Sequence, residues 1–62
     1  ITYDEMMTRY GSGRFKTNCP AYKDDVLILY TTGIGKCLKR ESDQIHALNL
    51  NELRGYLFER IG

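Results

Sequence analysis

Sixty-two residues place this chain near the lower size limit at which one hydrophobic core holds a fold without a disulfide framework, a metal or a second subunit. An apolar fraction of 42% and a charged fraction of 27%, with a single Pro, exclude a disordered or collagen-like polypeptide. A formal net charge of +1 excludes the long-range field of a strongly basic nucleic-acid binder, and the longest apolar run, Val26 to Tyr30, is too short to cross a bilayer as a helix.

The N-terminus carries a helix-start signal. Thr2 at the N-cap with Glu5 three residues on makes a capping box, and Ile1 and Met6 are spaced for a hydrophobic staple. A short helix begins at Tyr3, with Asp4 and Glu5 in its first turn, Arg9 in its last, and Gly11 at the C′ position that ends it. Met6, Met7 and Tyr10 are its apolar contacts.

Beyond the Gly11-Ser12-Gly13 joint, Arg14 to Cys19 alternates polar with apolar or small residues, the period of a half-buried strand. Pro20 stops that strand and marks it as an edge, because Pro donates no ladder hydrogen bond. After a polar turn at Ala21 to Asp24, the run from Val26 to Tyr30 reads as a central strand. Thr32-Gly33-Ile34-Gly35 is a hairpin turn, and Lys36 to Arg40 is the return arm. Glu41-Ser42-Asp43 makes a second turn, and Gln44 to Ala47 extends the meander. From Asn49, an N-cap with Glu52 at N3, the stripe Leu50, Leu53, Leu57 and Ile61 predicts an amphipathic helix. The expectation is one small α+β domain over residues 1–62. It has a short N-terminal helix, a three- or four-stranded antiparallel β-meander, and a C-terminal amphipathic helix packed on one face.

That architecture leaves one sheet face short of cover. Val26, Ile28 and Tyr30 point one way and Leu27 and Leu29 the other. With the longer helix over the first set, Leu27 and Leu29 remain, beside Met6, Met7 and Tyr10 of the short helix, as the expected contact surface for a protein partner or a second copy. The expected function is a non-enzymatic binding or regulatory module acting through protein contact. The alternative is a nucleic-acid-binding domain with a basic sheet face. Arg14 and Lys16 would lie on the first strand and Lys36, Lys39 and Arg40 on the return arm, with Tyr22 or Tyr30 placed for base stacking. Asp24, Asp25, Glu41 and Asp43 in the flanking turns dilute that basic field.

No motif carries catalysis, so neither an enzyme active site nor a small-molecule substrate is expected. Gly33-Ile34-Gly35-Lys36 stops short of a phosphate-binding loop, which needs Gly where Tyr30 stands and a hydroxyl where Cys37 stands. Cys19, Cys37 and His46 are scattered singly, without the paired short spacings of zinc ligands, so no metal or cofactor is expected. Two cysteines in so short a chain fit free thiols in an intracellular, cytoplasmic setting better than a disulfide-stapled one. No membrane partner is expected.

Overall fold

A computed structural model describes all 62 residues. Helix α1 (Tyr3–Arg9) precedes strands β1 (Gly13–Thr17), β2 (Leu27–Thr32), β3 (Gly35–Arg40) and β4 (Asp43–Ala47). A single 3-10 turn (Leu50–Glu52) then leads to β5 (Phe58–Arg60). The strands form one antiparallel sheet in the order β4-β3-β2-β1-β5, so the chain is α+β with a meander at its centre. No helix is long and apolar enough to cross a membrane.

The start of α1 follows from its first residues. Thr2 Oγ1 accepts from Glu5 N at 3.1 Å while Glu5 Oε1 accepts from Thr2 N at 3.1 Å, so two N–H groups that a helix end leaves unpaired are satisfied reciprocally. Arg9 pairs with Glu5 one turn back. The helix stops at Arg9, and Gly13, at φ 146°, turns the chain into β1 in a conformation that a side chain would strain. The β2–β3 hairpin also forms where the sequence places it. Thr32 Oγ1 donates to Gly35 O and accepts from Ile34 N, which closes the tip.

The C-terminal segment departs most from expectation. The amphipathic helix over Leu50, Leu53, Leu57 and Ile61 does not form; a 3-10 turn and then β5 take its place. Gly55, Asn49 and Asn51 are weak helix formers, and Asn49 Oδ1 instead accepts from Asn51 N to make the turn. A strand at this position also pairs the backbone groups on the outer side of β1, which a helix lying across the sheet would leave unsatisfied. The register sets Thr17 opposite Phe58 and Lys16 opposite Glu59, so Phe58 enters the core while Leu57 stays 54% exposed. It follows that β1 is no edge strand, and that the sheet has five strands, not three or four. Pro20 lies beyond the last residue of β1, Thr17, and breaks no ladder. Ile1 shields the outer side of β5 by exchanging two backbone bonds of 2.7 Å with Phe58. At the other edge, β4 meets β3 only at Lys39–Ala47 and Arg40–Asp43, with a register shift between them.

The core lies on one side of the sheet. Phe15 opposite Leu27 and Leu29 opposite Leu38 place these four side chains on the same face. Tyr3 and Met6 of α1, Cys19 of the β1–β2 connection, Leu53 and Phe58 complete the cluster. Tyr10 packs edge-on to Phe15 at 5.5 Å and Tyr3 tilts over Phe58 at 6.1 Å.

This reverses the parity expected of β2. Leu27 and Leu29 are fully buried, as is Met6, and none of the three is available to a partner in the folded chain. The reason is register. The side chains able to fill a core on neighbouring strands, Phe15, Leu38 and Phe58, fall in line with Leu27 and Leu29, whereas Arg14 and Lys39 fall opposite Ile28. α1 and the C-terminal segment both pack from the core side. Met7 and Tyr10 are half-buried at its rim.

Candidate functional site

The uncovered face of the sheet is the candidate site. Alternation along each strand gives it Ile28 and Tyr30 from β2 with Val26 just before it, Cys37 and Lys39 from β3, Arg14 and Lys16 from β1, and Glu59 from β5. Val26, Ile28 and Tyr30 are half-buried although no helix packs on this side of the sheet. At the rim, on either side of Glu59 along the last strand, Ile61 is 41% exposed and Leu57 54%.

Long charged side chains provide what cover there is. The Arg14 guanidinium meets the Glu41 carboxylate in a two-pronged contact of 2.7 and 3.3 Å. That hydrogen bonding first, and the carboxylate charge second, hold the guanidinium above its already high ordinary pKa. Lys39 Nζ stands 4.7 Å above the Tyr30 ring, so the cation shields one aromatic face while remaining in water.

The five cations of the basic-stripe expectation are divided by the same alternation. Arg14, Lys16 and Lys39 share the open face. Lys36 and Arg40 share the parity of Leu38 and point to the covered side. Lys36 Nζ donates to the Met7 carbonyl near the end of α1, and Arg40 lies 3.6 Å from Asp43. Glu41 and Glu59 sit among the three cations that remain, so the face is mixed in sign rather than basic.

At one corner of this face a shallow cleft of about 290 Å³ is lined by Lys16, Thr17, Asn18, Leu57, Phe58 and Glu59. Its hydroxyl and amide are engaged with backbone: Thr17 Oγ1 donates to Leu57 O at 2.9 Å, and Asn18 Oδ1 accepts from Leu57 N at 2.9 Å. That leaves one cation and one carboxylate facing each other across the register, with no nucleophile beside a base. No three His, Cys, Asp or Glu side chains gather where a metal could sit. Both cysteines are free, Cys19 in the core and Cys37 on the opposite, open face.

The remaining polar cluster is a turn lock. Asp43 Oδ1 accepts from Ile45 N at 3.2 Å and His46 N at 3.3 Å, and His46 Nδ1 donates to Oδ2 at 3.1 Å. The His46 side chain and the Ile45 N–H are the leading causes that hold the Asp43 carboxyl below its ordinary range. A depressed carboxyl pKa contributes stability above the unfolded value, and this is lost as pH falls through the folded one. Carboxyl NMR titration is expected to show Asp43 titrating below the usual range of about 4. In His46→Ala its midpoint is expected to move up; an unmoved midpoint would remove His46 as the leading cause. Ile34 and Ile45 stand almost fully exposed as single apolar residues, which small domains commonly tolerate.

Sequence reasoning assigned Val26, Ile28 and Tyr30 to the covered side and so missed the face they form. The two-residue hairpin turn carried the missing signal: pairing Thr32 with Gly35 fixes Leu29 opposite Leu38, the one strong core residue of β3. Compared with protein-family models, curated proteins and solved structures, the chain matches none.

Proposed function

We propose that the chain is a small non-enzymatic module that works through protein contact on the open face of its sheet, and that a second copy of the chain is a partner this face accepts. The observation that supports the reading is the parity of β2. Val26, Ile28 and Tyr30 stay only half-buried along the middle of a face that no other element of the chain covers, with Leu57 and Ile61 at its edge. An apolar centre inside a charged rim is the anatomy of a docking surface. Nucleic-acid docking has less support, since two carboxylates are set among only three cations on that face.

Sedimentation equilibrium from about 10 μM to about 1 mM, the range in which weak dimers dissociate, tests the reading. The average mass is expected to rise with concentration, with amide NMR shifts confined to β2 and its neighbours on the open face. Ile28→Lys is expected to abolish the rise and leave the far-ultraviolet spectrum unchanged. A native chain that stays monomeric and unshifted throughout removes self-association.

A further inference from the structure

The two edges of the sheet are closed in different ways. Along β5 lies the backbone of Ile1. Along β4 lies nothing, and every side chain from Gln44 to Ala47 is exposed, Ile45 by 87%. A bare edge is a template on which another strand pairs, and this one has neither the proline nor the lysine with which edges commonly discourage it.

β4 carries an obstacle of its own. Between the pairs Arg40–Asp43 and Lys39–Ala47 the ladder shifts register, so Gln44, Ile45 and His46 have no cross-strand partner and stand out as a bulge. The Asp43 carboxylate holds the bulge in shape, since Oδ1 accepts from the N–H groups of Ile45 and His46 while Oδ2 meets the His46 ring. Gln44 Nε2 donates back to Glu41 O at 2.9 Å, and Leu48 N then returns the chain to Leu38 O at 2.7 Å. Two donors that an incoming strand would use are thereby taken up inside the chain.

From this geometry we infer that Asp43 guards the β4 edge: its carboxylate keeps the bulge from straightening, and without it this edge pairs antiparallel with the β4 edge of a second copy. The inference is independent of docking on the open face. A two-fold axis beside Ile45 sets each freed N–H toward a carbonyl of the other copy and brings the two exposed Ile45 side chains together as a cross-strand pair.

The test is made in the Ile28→Lys chain, where the open face does not contribute. Asp43→Ala and Asp43→Asn change the net charge equally, but only Asn keeps an oxygen that accepts from both N–H groups. By sedimentation from about 10 μM to about 1 mM, the mass of the Asp43→Ala chain is expected to rise towards that of a dimer, with amide NMR shifts confined to Gln44 to Ala47. The Asp43→Asn chain is expected to stay monomeric. Adding Ile45→Pro to Asp43→Ala removes one freed donor and is expected to restore the monomer. Asp43→Glu, whose longer side chain carries the carboxylate past both N–H groups, is expected to associate like Asp43→Ala and gives the same test should the alanine chain not fold. A folded Asp43→Ala or Asp43→Glu chain that remains monomeric at about 1 mM overturns the guard, as does equal association by Asp43→Asn. The docking reading is judged separately, on the native chain and Ile28→Lys alone.

Discussion

A Leu29→Ala chain is expected to be largely unfolded at 25 °C, whereas Ile28→Ala, one residue away, is expected to fold like the native protein. Leu29 is fully buried, with Leu38 opposite it on β3. Truncating a leucine in such a place costs about 2–5 kcal/mol, the removed contacts plus the cavity they leave. At roughly 0.05–0.15 kcal/mol per residue, a domain of this size has about 3–9 kcal/mol in all, and so small a core lies towards the low end. Ile28 is half-buried between Arg14 and Lys39, on the side away from the core, and its truncation removes a partial contact with no enclosed cavity to leave. Urea denaturation followed by circular dichroism separates the two. A native midpoint for Leu29→Ala would mean that the helix-covered side is not the core.

Gly13→Ala is expected to be the most damaging glycine substitution, by about 1–3 kcal/mol from backbone strain and by more if the ring it meets cannot move. At φ 146° a side chain is strained, and a Cβ there would lie 3.2 Å from Phe15 Cε1 and 3.4 Å from Gly62 O. Phe15 is fully buried against Tyr10, so the ring has little room to yield. Gly33, where nothing lies within 4 Å and φ is ordinary, supplies the control, and Gly33→Ala is expected to leave the urea midpoint unchanged. Equal midpoints for the two variants would show that the turn into β1 does not require glycine.

The parts of the fold legible from residues alone were those fixed by neighbours in sequence. Thr2 and Glu5 specify the helix start within four positions, and the glycines around Ile34 specify a hairpin that closes on itself. The parts that were not legible depend on which distant strand lies alongside. Five apolar residues in a row carry no parity of their own, so β2 takes its inward side from Phe15 and Leu38. The stripe Leu50, Leu53, Leu57 and Ile61 has a helical period, yet the same segment holds Leu57-Phe58-Glu59-Arg60, which alternates well enough to serve as a strand once β1 offers an unpaired side. Tertiary pairing overrode local period there. The candidate site inherited the error, because the face that stays open is whichever one the core does not take. Of the residues expected at a protein contact, only Met7 and Tyr10 keep any exposure, at the rim of the covered side.

The bond between Ile1 and Phe58 joins groups 57 positions apart, and β5 has no other strand beside it but β1. Bringing such remote stretches together costs more chain entropy than zipping the β2–β3 hairpin, so closure of this seam is expected to come late in folding. Until it does, Phe58 is missing from the interior and one flank of the sheet lies bare to other half-made molecules, which makes the interval before closure the time of greatest exposure to misassembly.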